Sequence, residues 1–162
     1  MNDITLSQNF EVKGGPDYGR KNLPILQAAL KKQNLDGFIV PHEDEYQNES
    51  LPASTDRLQW LSGFTGSAGA AVVMQDKAAM FVDGRYVIQI KQQVDKGLFD
   101  YERLEDGVAK WLRGNVKAGQ VIGYDPKLHS PSALAQLVEA IELAGGTAKA
   151  MEPNPIDVAW TD

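Results

Sequence analysis

The chain of 162 residues contains no cysteine. Disulfides, zinc–thiolate sites and cysteine nucleophiles are therefore excluded, and a thiol-free composition fits the cytoplasm, which is the expected location. Histidine is nearly as scarce. His42 and His129 are the only two and lie in distant segments, so no H-E-x-x-H zinc pattern exists. Basic charge is in deficit: 16 Lys and Arg stand against 22 Asp and Glu, a net charge of −6. A nucleic-acid partner is not expected, because that affinity leans on cations neutralising phosphates. No membrane partner is expected either, since no apolar run approaches the length of a span. Residues 1–9 also lack the basic region and apolar core of a signal peptide.

What is present is an ordinary globular mixture, 43% hydrophobic and 23% charged. At this length it can bury a core without a metal or disulfide staple. Residues 1–16 are polar, end in Gly14-Gly15-Pro16, and read as an N-terminal tail. Residues 17–152 read as one α/β domain. Leu23, Leu26 and Leu30 recur at helical spacing and predict a helix over 18–33, with Lys31 and Lys32 at the end its dipole favours. Asp36-Gly37 then turns the chain into Phe38-Ile39-Val40, a buried strand. Asp56 is placed to cap a short helix carrying Leu58, Trp60 and Leu61. The apolar runs 70–74 and 78–82, joined by Gln75-Asp76-Lys77, predict an antiparallel hairpin.

Further strands are predicted at 99–104, 121–124 and 147–151, alternating with helices at 85–94 and 108–112. A longer helix opens at Ser130-Pro131 and stops at Gly145-Gly146, with Leu134, Leu137, Val138, Ile141 and Ala144 as its apolar stripe. Pro153-Asn154-Pro155 predicts a stiff extended connector, and residues 153–162 read as the start of a linker. Alternating elements with one hairpin predict an α/β fold with a mixed β-sheet and helices on both faces. Trp60, Trp111 and Trp160 read as core or interface aromatics.

Three segments invite a functional reading, and each has a plain alternative. Gly63, Gly66 and Gly69 are spaced G-x-x-G-x-x-G. That is neither the G-x-G-x-x-G of a dinucleotide site nor a phosphate loop ending in Lys-Ser, and Ser67 lacks the glycine two residues before it that a nucleophile elbow needs. A tight turn is the better reading. His42, Glu43, Asp44 and Glu45, with Glu49 beyond them, could bind a hard cation or join acid–base work. A solvated acidic loop is the commoner origin of such a run, although polar loops at strand ends are where sites usually lie. Asp83-Gly84-Arg85-Tyr86 suits carboxylate or backbone recognition, or simply a capped strand–helix junction in which Arg85 pairs with Asp83. No Ser/His/Asp set has local support, and no catalytic or metal-ligating residue is assigned.

Taken in order, the motifs resemble one family. Asp56 to Gly69 (DRLQWLSGFTGSAG), Ala79 to Tyr86 (AMFVDGRY), Val121 to Pro126 (VIGYDP) and Val158 to Asp162 (VAWTD) are similar to signatures of the amino-terminal domain of Xaa-Pro aminopeptidases, in the creatinase–prolidase–aminopeptidase P group. The resemblance spans roughly residues 18–162. It implies a ribonuclease H-like α/β domain without catalytic residues, which helps assemble a homodimer and narrows access to the active site. It implies downstream domains of the same polypeptide, the last holding two divalent metal ions, typically manganese. The substrate it implies is a peptide with proline at the second position. Related parents would be prolidase- or creatinase-type hydrolases; a stand-alone binding module is the remaining alternative. The loop residues His42, Glu43 and Glu49, with Phe81, Asp83, Arg85 and Tyr86, are the residues expected to face a partner domain or subunit. Phe81 stands where relatives often carry tryptophan, and Ser50 where they often carry an aromatic.

Overall fold

The structure is a computed structural model and describes residues 14–41, 57–66 and 68–160. Helix α1 (Pro16–Lys32) opens on a proline in its first turn and carries Lys31 and Lys32 in its last turn, as the leucine spacing and the charges predict. Strand β1 (Gly37–Pro41) follows, then α2 (Arg57–Ser62), β2 (Ala70–Met74) and β3 (Ala78–Val82). A 3-10 turn (Gly84–Tyr86) leads into α3 (Val87–Gln93), β4 (Asp100–Arg103) and, after a second 3-10 turn, α4 (Val108–Asn115). Strand β5 (Val121–Tyr124), α5 (Pro131–Leu143), β6 (Thr147–Ala150) and α6 (Pro155–Ala159) complete the described chain.

The six strands form one sheet in the order β4-β3-β2-β1-β5-β6. Strand β2 is antiparallel to both β1 and β3, while β1 with β5, β5 with β6 and β3 with β4 are parallel. Five strands therefore point one way and β2 alone points the other. This is the mixed sheet expected from one hairpin set among crossovers. Strands β2 and β3 are buried along their whole length, which is why they read as continuous apolar runs rather than alternating ones.

Helices cover both faces. Phe38 and Val40 of β1 pack with Leu26, Leu30, Leu61, Phe64 and Ile156 in one core layer, under α1, α2, α3 and α6. Ile39, between them, enters the opposite layer with Phe81, Leu112, Ile122 and Ile141, under α4 and α5. The period of two in a strand makes one residue serve each layer in turn. No helix among the described residues is long and apolar enough to cross a membrane.

Three local expectations change. The helix expected from Arg85 starts two residues later, because the Asp83 carboxylate accepts the Arg85 amide at 2.8 Å and caps a 3-10 turn first. In α5 the expected stripe is only partly sunk: Ile141 is buried with its neighbour Ala140, while Leu134, Leu137, Val138 and Ala144 stay half-buried. Beyond β6, where the prolines predict an extended run, Pro155–Ala159 is a helix. Asn154 is its cap and Pro155 its first residue, a pairing that opens helices as readily as prolines end them. The expected cap Asp56 lies outside the described residues.

Candidate functional face at the carboxyl edge of the sheet

Because five strands are parallel, their carboxyl ends meet at one edge of the sheet: Pro41, Val82, Arg103, Tyr124 and Ala150. From β1 the chain winds through β2, β3 and β4 on one side; from β5 it goes to β6 on the other. Between the ends of β1 and β5 the winding reverses, and in open α/β sheets that reversal leaves a crevice where ligands bind. A crevice of about 430 Å³ lies here, walled by Ile39 and Pro41 from β1, Ala70 from β2, Val108 from α4, His129 beyond β5 and Leu137 from α5. Its walls are mostly aliphatic.

His129 shows how dry this corner is. Its Nε2 is shut off from solvent and has no hydrogen-bond partner among the described residues, and its ring stands edge-on to Tyr124 at 6.2 Å. Burial holds the imidazole below its ordinary value of 6.5, against a smaller opposing pull from Asp125. The folded ring therefore resists a proton that the unfolded chain accepts. Its contribution to stability is present above pH 6.5 and is lost as pH falls toward the lowered folded value. Urea midpoints taken at about pH 7.5 and about pH 5.5 should show this loss, and His129→Phe should shrink it. An unchanged pH dependence in the variant would show that other groups carry the loss.

The junction after β3 lies at the same edge. Asp83 accepts from Arg85 Nη2 at 2.8 Å and from Nε at 3.1 Å on the same oxygen, besides its cap to the Arg85 amide. These side-chain hydrogen bonds come first among the causes that hold the Asp83 carboxyl below the usual carboxylate range and raise Arg85. The Arg85 guanidinium lies 5.2 Å from the Tyr86 ring centre, and Tyr86 meets Phe64 edge-on at 5.5 Å. A second ion pair, Arg103 Nη2 to Glu105 Oε2 at 2.8 Å, sits beside the first, with Arg103 Nη2 only 3.0 Å from where a side chain on Gly84 would begin. The pairing weighed from sequence is thus present. The edge also holds Arg103 and Glu105, which only the parallel pairing of β3 with β4 brings alongside.

Phe81 is 1% exposed and lies within the sheet, opposite Ala70. Its ring meets Trp111 edge-on at 6.0 Å, and Trp111 stands half-buried above it beside Glu102, Asp106 and Lys110. Any outward influence of Phe81 passes through Trp111, which no sequence motif singles out. His42, Glu43 and Glu49 lie outside the described residues.

The glycine segment is a turn with a structural reason. Gly63 has φ 86°, and its carbonyl accepts the Gly15 amide at 3.0 Å, so the start of α1 is stitched to the end of α2. Thr65 is tied to α3: its amide donates to Gln93 Oε1 at 3.0 Å and its hydroxyl accepts from Gln89 and Gln93. These groups are partnered within the fold. Among the described residues no three His, Asp or Glu side chains converge as a metal site. They do not fit a two-metal centre.

Known proteins share this architecture. The creatinase/prolidase N-terminal domain family matches residues 23–153. Proteins described as probable Xaa-Pro aminopeptidase P from Ajellomyces dermatitidis and Pyrenophora teres f. teres are 35% and 36% identical over 149 and 144 residues, covering 90% and 85% of this chain but 24% and 22% of their own lengths. The crystal structure of X-prolyl aminopeptidase from Caenorhabditis elegans, described as a cytosolic enzyme with a di-nuclear active site, superposes with a TM-score of 0.80 at 27% identity, covering 89% of this chain and 26% of that one. The N-terminal domain of cytoplasmic peptidase PepQ from Mycobacterium tuberculosis H37Rv shares the fold at a TM-score of 0.63 and 24% identity, covering 85% of this chain and 96% of that one. The chain spans about a quarter of the length of the aminopeptidases it matches. With the six-stranded mixed sheet and the matched span of 131 residues (23 through 153), the chain belongs to the creatinase/prolidase N-terminal domain family.

Proposed function

We propose that this chain is the non-catalytic amino-terminal domain of a metal-dependent Xaa-Pro aminopeptidase, which hydrolyses the bond between an amino-terminal residue and a following proline. The observation that carries the reading is the alignment of 90% of this chain with 24% of a probable Xaa-Pro aminopeptidase P. The remaining three quarters of such a protein is where a metal pair, manganese by family resemblance, would find its converging carboxylates. The carboxyl edge of the sheet is the surface that would serve the enzyme. It gathers the Asp83–Arg85 and Arg103–Glu105 pairs, Tyr86, and the exit of β1 toward His42, Glu43 and Glu49. Fixed ion pairs with satisfied geometry suit the shaping of an entrance or of a homodimer contact better than proton transfer. A cytoplasmic location accords with the cytosolic C. elegans enzyme.

The test is an assay of two proteins with manganese and an X-Pro-X tripeptide. The 162-residue chain should give no turnover above background, and the longer polypeptide encoded by the same gene should turn over. In the longer protein Arg85→Ala should raise KM several-fold and leave kcat within about twofold, the signature of lost positioning rather than lost chemistry. Turnover by the 162-residue chain would sink the non-catalytic reading. An equal fall in kcat and kcat/KM would sink the role given to this edge.

A further inference from the structure

The corner where α6 returns to α1 carries an aromatic cleft that the carboxyl edge does not use. Trp60 and Trp160 stack with ring centres 6.1 Å apart and planes 27° from parallel. With Tyr18 and Asn22 they wall a cleft of about 400 Å³, and its rim carries the charges of Asp17 and Lys21. Asn22 Nδ2 donates to the Trp60 carbonyl at 2.6 Å and fixes the floor. Two of the most exposed aliphatic side chains belong to the same helices: Ile25 on α1, 41% exposed, and Val158 on α6, 58% exposed. An aromatic cleft with a charged rim, on helices that also expose aliphatic side chains, has the composition of an interface centre and its border.

Helix α6 is also bolted to the domain. Arg57 holds Asp157 with two hydrogen bonds, at 2.8 and 3.0 Å, and Asn154 is tied to Asp125 at 2.9 Å. The Trp160 amide closes the helix on the Ile156 carbonyl at 2.7 Å, after which the backbone turns extended. The end of α6 is therefore fixed to the domain, and Trp160, the last described residue, is itself a wall of the cleft.

We infer that the cleft walled by Tyr18, Trp60 and Trp160 is the seat of the polypeptide that follows residue 162, entered by an apolar side chain, with Ile25 and Val158 exposed on the same two helices. This rests on the reading that the chain is one part of a longer protein, as its coverage of only 24% of a relative suggests. Tethering decides the occupant. A following segment begins within roughly 7 Å of Trp160, two residues on, and a short tether gives it an effective concentration in the millimolar range, which an untethered second copy does not have.

Hydrogen exchange on the 162-residue chain and on the longer gene product tests it. Amides of residues 17–25 and 155–160 should exchange at least about tenfold more slowly in the longer protein, while those at the end of α5, residues 138–143, keep their rates. Ile25→Glu, at an exposed site that leaves the domain's own core intact, should return the slowed amides most of the way to the rates of the isolated domain. A long reading frame whose product shows no added protection at α1 and α6 overturns the inference alone. A frame that stops at Asp162 removes the inference together with the reading beneath it.

Discussion

Gly63→Ala should destabilise the domain by about 4 kcal/mol, a large part of the total stability of a domain this size. Two costs add. At φ 86° an alanine sits in the left-handed region, which costs about 1–2 kcal/mol for a residue with a Cβ. The added methyl would also overlap the carbonyl oxygen and backbone nitrogen of Gly15, and those are main-chain atoms that cannot rotate aside. Relief requires Gly14 and Gly15, which lead into α1, to lift away, which breaks the hydrogen bond from the Gly15 amide to the Gly63 carbonyl. The reverse clash, a side chain on Gly14 against the Gly63 carbonyl, shows that the two glycine sites were fitted to each other. Gly114 is the control. It lies in α4 with nothing near its absent Cβ, so Gly114→Ala should leave stability unchanged or raise it by up to about 1 kcal/mol. Urea unfolding of both variants checks the pair. A loss below about 1 kcal/mol at Gly63 would show that the junction of α1 and α2 yields easily.

The same position shows what a sequence conveys. Glycine spacing alone argues against a dinucleotide fingerprint and for a turn, and Gly63 has the positive φ that such a turn uses. That Gly63 answers Gly14 and Gly15, some 48 positions earlier, is a property of packing and leaves no local trace. The hairpin of β2 and β3 is legible because a strand buried on both faces is a continuous apolar run whatever its neighbours. The Asp83–Arg85 pair is legible because its partners are two residues apart. Its neighbour Arg103–Glu105 is equally local, but its place on the same edge depends on β4 lying parallel to β3, and no motif encodes that pairing.

Phe81 marks the limit from the other side. Its place in an ordered motif suggests a surface role, while the register that sets it opposite Ala70 buries it under Trp111. The crevice beside His129 combines residues 39, 41, 70, 108, 129 and 137, and only the strand order makes them neighbours. Helix α6 was hidden for a different reason. Proline near the end of a domain reads as a stop, and the asparagine before it reverses the meaning only when its side chain is free to cap.

That asparagine carries the second large effect. Asn154→Ala should cost about 3 kcal/mol. Asn154 is 3% exposed and does two jobs: its Oδ1 accepts the Ile156 amide at 2.9 Å and starts α6, and its Nδ2 donates to Asp125 Oδ2 at 2.9 Å. Loss of a cap costs about 1 kcal/mol. The abandoned oxygen of Asp125, itself 5% exposed, adds the penalty of a buried acceptor without a donor, about 1–3 kcal/mol. The other oxygen of Asp125 caps the 3-10 turn at Lys127, so the carboxylate cannot swing out to water without undoing a second element. Asp157→Asn, which weakens the more exposed Arg57 pair on the same helix, should cost under about 1 kcal/mol. The two variants also separate in what they do to Trp160. Asn154→Ala should loosen α6 and open the Trp60–Trp160 stack, increasing quenching of tryptophan emission by acrylamide below the unfolding transition, whereas Asp157→Asn should leave quenching near the parent value. If the two variants proved equal in stability and in quenching, α6 would be held as much by the Arg57–Asp157 ion pair as by the buried bond of Asn154 to Asp125.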